Sequence, residues 1–345
     1  MAPEKPAFLI RQAVLLDHRP LLRLARELDS INLPTDSAEL REALERSERS
    51  FAGRIRERAH TVYIFCAEDA RSHRLAGASM IIGKHGTPEA PHYYLAMDTE
   101  ERYSHTLRRM FRHTFLRLRH SMDGPTEIGG LIVTAAMRGR PEQVGKQLSW
   151  VRFLYLARHR ARFETQVLAE MLPQFGPDYR NAFWDHYGRE VTGLSFREAD
   201  RLSTHDKEFI RALFPDAPLY TFLLPEDVRR SLGEVGERSR GAVRLLEQAG
   251  MKFLNHLDPF DAGPYYGAQV SELGPVKDYR ALVAVIGEPS PEKSRAFLVA
   301  RDDRRGFRAV RTEAVAEDSR IIVNAGVLSA LSAREGQRVG VVPLP

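Results

Sequence analysis

The sequence predicts an α/β protein with a mixed sheet flanked by helices, and three observations carry that expectation. Glu127-Ile-Gly-Gly-Leu131-Ile-Val133-Thr134 is an apolar, branched run of strand length, followed across a basic turn by a long helical pattern. The first half of the chain alternates strand-like and helix-like stretches in the order β-α-α-β-β-β-α-β-α. From Ala281 onward, short strands recur with polar turns between them, the pattern of a small β-subdomain, barrel-like in style.

Residues 8–14 open as a strand, and Leu15-Leu-Asp17 leads into a helix with Leu21, Leu22, Leu24, Ala25 and Leu28 on its inner side. Residues 32–36 form a turn. Ser37 can cap the next helix, which runs through Phe51 with Glu39 and Glu42 in its first turns, where acidic groups suit the helix dipole. Residues 61–67 and 75–82 read as a hairpin around a polar turn at 69–73, and residues 93–97 as a further strand. Between Arg102 and His120, Leu107, Met110, Phe111, Thr114, Phe115 and Leu118 recur at helical spacing. That spacing predicts an amphipathic helix with Arg108, Arg109, Arg112, Arg117 and Arg119 on a solvated face.

The apolar strand then leads into Arg138-Gly-Arg140-Pro-Glu-Gln143-Val144-Gly145-Lys146, a basic turn. A helix follows from Gln147 to Ala157, with Leu148, Val151, Leu154 and Tyr155 near one face. Residues 167–172 form a short strand and 174–178 a turn. Helical pieces follow at 181–187, 196–200, 206–214 and 225–232, with a strand at 218–224. The helix at 241–249 is stopped by Gly250 in the left-handed cap conformation. Residues 251–257 return as a strand, and Asp258-Pro-Phe-Asp261-Ala-Gly-Pro264 makes a tight polar bend. The tail has strands at 281–286, 296–300, 307–311, 320–323 and 338–342, plus a small helix capped by Asn324 and stopped by Gly336.

At 345 residues the chain exceeds one average domain, so lobes at 1–175, 176–280 and 281–345 are expected. A hydrophobic content of 43% with 28% charged residues is that of a globular protein, and no apolar run reaches membrane-spanning length. The first residues do not read as a secretory signal. The single cysteine, Cys66, lies in an apolar strand; it excludes an internal disulfide and a multi-cysteine metal site, and points to the cytoplasm. No His, Asp and Glu cluster has metal-ligand spacing, so no metal is expected. The net charge of +5 admits an anionic ligand, but no helix-turn-helix, zinc-finger or aromatic RNA motif turns it toward nucleic acid.

Strand, basic turn and helix start together hold a phosphate well. Unpaired N–H groups and the positive dipole end attract anions, here at Gln143, Val144, Gly145 and Lys146, and Arg138, Arg140 and Lys146 add charge-assisted contacts. An ordinary strand–helix connection with solvated arginines gives the same pattern.

Ile31-Asn-Leu-Pro34, Ala76-Gly77, Ala169-Glu170-Met171, Phe183-Trp184, Pro218-Leu-Tyr220-Thr221, Gln248-Ala-Gly250 and the bend at 258–264 stand in one order and spacing. On these the chain resembles the arginine N-succinyltransferase family of the acyl-CoA N-acyltransferase superfamily, over nearly its full length. The resemblance implies that superfamily's fold with a second related lobe and a small C-terminal β-subdomain. It also implies acyl transfer from succinyl-CoA, a co-substrate and not a tightly bound cofactor, to the α-amine of L-arginine. Leu131, with Val133 beyond it, is implied to contact the acyl-CoA. A homodimer, or a heterodimer with a related subunit, is implied as well, and a non-catalytic partner subunit is the alternative.

Three positions depart from the family pattern. Gly236 stands where the family has its proton-donor histidine, Gln143 replaces the first glycine of the phosphate turn, and Leu172-Pro173 replaces arginine and glycine. Glu127 matches a family glutamate and suits a base acting through water; a solvated strand end is its other reading. His205, His256 and Tyr220 are candidate stand-ins for the acid, although the coenzyme thiolate can leave unprotonated. Glu170 and Asp261 are the carboxylates expected to hold a cationic substrate, with a turn-capping role open for Asp261.

Overall fold

The computed structural model describes residues 6–27, 33–176, 180–203 and 206–345; Leu28, Ile31, Asn32, Asp178 and His205 lie outside the described residues. In chain order the first elements are β1 (Phe8–Gln12), α1 (His18–Glu27), α2 (Ser37–Phe51), β2 (Val62–Asp69) and β3 (Leu75–Ile82). Then come β4 (His92–Ser104), β5 (Arg109–Ser121), β6 (Thr126–Val133), α3 (Val144–Arg158) and β7 (Gln166–Glu170). The middle of the chain holds α4 (Arg189–Thr192), α5 (Phe196–Ser203), α6 (Glu208–Leu213), β8 (Leu219–Tyr220), α7 (Glu226–Ser231) and α8 (Arg240–Ala249). The last part holds β9 (Lys252–Leu257), β10 (Pro264–Gln269), α9 (Gly274–Lys277), β11 (Arg280–Ile286), β12 (Arg295–Asp303), β13 (Gly306–Glu317), β14 (Arg320–Val323), α10 (Ala325–Leu331) and β15 (Arg338–Pro343).

Local chemistry explains most boundaries. Asp36, one residue before the expected cap, accepts from the amides of Ala38 and Glu39 at 2.7 and 3.0 Å and starts α2. Gly250 ends α8 at φ 101°, and the Asn324 side chain caps α10 through the Val327 amide. The small helix stops earlier than expected, at a left-handed Ser332.

Two compact units emerge, both discontinuous in sequence instead of the three consecutive blocks expected: Met1–Lys84, Thr126–Val167 and Gln269–Pro345 form the first, His85–Pro125 and Leu168–Ala268 the second. In the first unit β13, β1, β2, β3 and β6 lie side by side in an antiparallel sheet. Strand β2 is buried on both faces, which is why it reads as an unbroken apolar run. Val62, Ile64 and Cys66 pack with α1 and α2, whereas Tyr63 and Phe65 meet Tyr155 of α3 at ring distances of 5.1 and 5.5 Å. Helix α3 was expected to bury one face; it is buried all round from Gln147 to Leu156.

The C-terminal strands close on themselves in the order β12-β15-β11-β14-β13, and β13 pairs back with β12 from Arg295↔Ala314 to Asp303↔Gly306. The result is a five-stranded ring around Leu282, Val299, Val310, Ile321, Val323, Val339 and Val341, plugged by α10. Strand β13 also pairs with β1 through Ile10↔Ala309, so this β-subdomain shares a strand with the sheet.

In the second unit the order is β10-β9-β4-β5-β8. Here the expected arginine-faced helix is overturned: residues 92–121 form a long hairpin paired from His92↔Ser121 to Ser104↔Arg109, turning at a left-handed Arg108. The reason lies in the i, i+2 pairs. Arg109 stacks over Phe111 at 4.6 Å and Arg117 over Phe115 at 5.5 Å, contacts that a strand face offers and a helix does not. The strand expected at 218–224 shrinks to β8, with residues 221–223 forming a helical turn.

Candidate active site

Strand β6 changes character midway. Thr126, Glu127 and Ile128 are buried, while residues 129–133, including Leu131 and Val133, are only half-buried. The change coincides with a bulge. Ala78 pairs with Ile132 and Met80 with Gly129, so Gly130 and Leu131 together oppose Ser79. Gly130 has φ +55°, and a Cβ there would come 2.9 Å from the Met80 side chain, so glycine suits the bulge and a side chain would strain it. The bulge takes main-chain groups beside Leu131 out of the ladder. Behind it Gly77 lets β3 approach β6 beneath α3: a Cβ there would lie 2.4 Å from the Ile132 oxygen and 2.8 Å from Leu148.

Helix α3 begins at Val144, and no side chain caps it. Helix geometry leaves the amides of Val144, Gly145 and Lys146 without intrahelical acceptors. Gln143 sits at φ 54°, ψ 46°, so the glutamine adopts the left-handed conformation that a glycine would take freely. Arg138 donates to the Val133 oxygen at 3.1 Å; Arg138 and Arg140 are exposed and have no carboxylate partner among the described residues. Lys146 donates to the main-chain oxygen of Pro345. The first unit thus holds an open helix start, a bulged strand and, beside them, Arg138 and Arg140, neither with a carboxylate partner among the described residues.

The second unit holds the opposite charge. Carboxylate oxygens of Glu170, Asp258 and Asp261 all lie within 4.8 Å of one another, so the two expected carboxylates come together and a third joins them. The bend at 258–264 is rigidly braced. Asp258 accepts from the amides of Phe260 and Asp261 and from the Tyr265 hydroxyl, and Asp261 accepts from the Gly263 amide at 2.7 Å. Asn181 donates to the Asp261 main-chain oxygen, and Trp184 stacks on Phe260 at 5.2 Å. Burial, reinforced by the neighbouring Asp258 charge, pushes the Asp261 carboxyl well above the usual range, and burial pushes Asp258 upward against its hydrogen bonds. Asp261 thus caps the turn, as one of its two readings has it, and its carboxylate also lies beside those of Glu170 and Asp258. Asp258 was missed as a third carboxylate; its signal was the Asp-x-x-Asp spacing across a Pro- and Gly-bearing bend.

Glu127 is 4% exposed and pairs opposite Ile82, so the solvated strand end is ruled out. His256 is half-buried and stacks on Tyr94 at 4.1 Å; burial lowers its pKa and keeps it neutral. Tyr220 sits on the edge strand β8, four strands away from β10, with its hydroxyl 3.3 Å from Arg102. Gly236 donates its amide to the Leu172 oxygen at 3.0 Å, and a Cβ there would meet the Pro173 oxygen at 2.6 Å. Two of the three family departures thus touch each other, and the backbone leaves no room for a side chain at 236.

A bulged strand and an open helix start are the framework of an acyl-CoA N-acyltransferase, and the fold is of that class. The structure of arginine/ornithine succinyltransferase subunit AI from Pseudomonas aeruginosa matches it with a TM-score of 0.85 at 27% identity, covering 99% of both chains. Proteins named arginine N-succinyltransferase from Citrobacter koseri and Salmonella newport are 30% and 29% identical over 339 residues, covering 97% of this chain and 97% of theirs. The profile of the family described as arginine N-succinyltransferase beta subunit matches residues 8–274. The chain belongs to that family.

Proposed function

We propose that the protein transfers the succinyl group of succinyl-CoA to the α-amine of L-arginine or a related cationic amine. The uncapped start of α3 behind the bulged β6 is the observation that carries this reading. Amides of Val144, Gly145 and Lys146 take the coenzyme phosphates, with Arg138 and Arg140 adding screening charge. Main-chain groups beside Leu131 polarise the thioester carbonyl, and Val133 lines the pantetheine arm. Glu170 and Asp261, joined by Asp258, hold the guanidinium. The amine nitrogen attacks the thioester carbon, Glu127 accepts its proton through water, and the carbon–sulfur bond breaks. The thiolate departs without a protein donor, because its pKa is low for a leaving group and position 236 has no side chain to give a proton.

The direct test is thiol release by the purified chain with succinyl-CoA and L-arginine, alongside calorimetry with succinyl-CoA and acetyl-CoA. Binding neither coenzyme would sink the reading, and binding without turnover would make the chain a non-catalytic partner subunit. A homodimer, or a heterodimer with a related subunit, is supported by Tyr103, Leu107 and Met110, apolar side chains left more than half exposed on the β4–β5 hairpin. Light scattering that finds a monomer would count against the homodimer. The lone buried Cys66 suits a reducing compartment such as the cytoplasm. No helix among the described residues is long and apolar enough to cross a membrane.

A further inference from the structure

Two arginines are buried among the described residues, and only one of them has a carboxylate partner. Arg301, 1% exposed, pairs with Asp303 and donates to the Leu331 oxygen. Arg11 pairs with both Asp17 and Glu68 at 2.7 Å. Arg152, 2% exposed on α3, finds only neutral acceptors: the Ser149 oxygen at 3.3 Å, the Ser149 hydroxyl at 2.9 Å and the Gly129 oxygen at 3.5 Å. No carboxylate among the described residues pairs with it. A buried cation lacking a countercharge is costly, and guanidinium offers five N–H groups in a fork matched to a carboxylate. Desolvation alone pulls its pKa down to about 9, which still leaves it charged at neutral pH.

Its position is informative. Gly129 is where β6 passes from buried to half-open, immediately before the left-handed Gly130 and one step further from Leu131. Under the proposed function the phosphates lie at the start of α3 and the thioester at the bulge, so the acyl chain continues from Leu131 toward Gly129. A succinyl group carries its carboxylate three C–C bonds beyond the thioester carbon, about 4 Å. One strand residue advances about 3.3 Å. The reach of the acyl chain thus covers one residue step, from Gly130 of the bulge to Gly129, whose oxygen accepts from the Arg152 guanidinium at 3.5 Å.

We infer that Arg152 is the subsite for the terminal carboxylate of the acyl group, and that it sets the preference for dicarboxylic mono-thioesters over neutral acyl-CoAs. This rests on the proposed function. Here the acyl carboxylate supplies the countercharge that folding leaves out, and the Ser149 hydroxyl holds the guanidinium plane toward β6 in the meantime. A neutral chain of equal length would leave the cation unpaired.

The test compares succinyl-CoA with butyryl-CoA, its uncharged four-carbon analogue, by kcat/KM with L-arginine and by calorimetry. The wild-type protein should favour succinyl-CoA by about 100-fold or more. Arg152→Met should lower kcat/KM for succinyl-CoA about 100-fold and shrink the succinyl-to-butyryl ratio to within about tenfold of unity, while Arg152→Lys keeps an intermediate ratio. Equal use of both thioesters by the wild-type protein overturns the inference without any variant, so a misfolded Arg152→Met would not shield it. A proportional fall for both thioesters in Arg152→Met, with succinyl preference intact, also overturns it and leaves the proposed function standing. Failure of the wild-type protein to bind any acyl-CoA removes both.

Discussion

The two units meet opposite charges by different means. The first has an anion-seeking surface built mainly from main chain: open amides of α3, a bulge at Gly130 and cations outside the ladder. The second relies on side chains, three carboxylates brought together by one braced bend and the end of β7. Main-chain dipoles carry no net charge and need no countercharge in the empty protein, whereas buried carboxylates repel each other until a cation arrives. Geometry should therefore control the first unit and pH the second.

The largest expected effect comes from breaking the geometry. Gly130→Val adds strain at φ +55° and a collision with Met80, so the bulge is lost. We expect destabilisation of about 2–3 kcal/mol and loss of acyl-CoA binding beyond about 100-fold, read by thermal melts and calorimetry. Gly236→His should fail to raise turnover and should cost about 3 kcal/mol in a melt, because its Cβ meets the Pro173 backbone at 2.6 Å. A stable, faster Gly236→His enzyme would show that the departure is an empty slot.

Asp261→Asn sharpens the contrast. It should weaken L-arginine binding about 30–100-fold with coenzyme binding kept, yet stabilise the fold by about 1 kcal/mol at neutral pH. Stabilisation follows because the raised carboxyl pKa makes the folded state hold its proton more tightly than the unfolded chain. Wild-type stability should accordingly fall as pH rises from the unfolded value of 3.8 through the raised one. A bound guanidinium favours the carboxylate, so arginine binding should release protons and weaken as pH falls through the raised pKa. Calorimetry in buffers of different ionisation enthalpy would detect that release; its absence would remove Asp261 from the site. The smallest effect is Gln143→Gly, expected to add about 0.5 kcal/mol by relieving a left-handed glutamine, measured by denaturant melts.

Most elements were legible where one local signal ruled. The β6–α3 passage, the Gly250 cap and the bend at 258–264 announced themselves through branched runs, glycine and turn residues. The β4–β5 hairpin did not, because apolar residues of one turn and one strand, Leu107 to Leu118, also fall at helical spacing, and the pairing that makes β5 a strand, with β4 and β8, is not visible in local spacing. Asp258 and Asp261 are legible as a pair from their Asp-x-x-Asp spacing in the bend, whereas the approach of Glu170 to them is set by the fold and not by any local pattern. Gly129-Gly130 inside a strand was a readable bulge signal. Arg152 carried none, since a lone arginine in an apolar helix says nothing of whether its partner lies within the chain.

Strand β13 serves both the closed ring and the open sheet, where it covers the outer edge of β1. The family profile stops at residue 274, before that strand begins. A fragment trimmed to the recognisable segment would bare the β1 ladder and invite edge-to-edge association between molecules. The appendage that lies beyond the family profile is thus the selvedge that keeps the sheet from fraying into its neighbours.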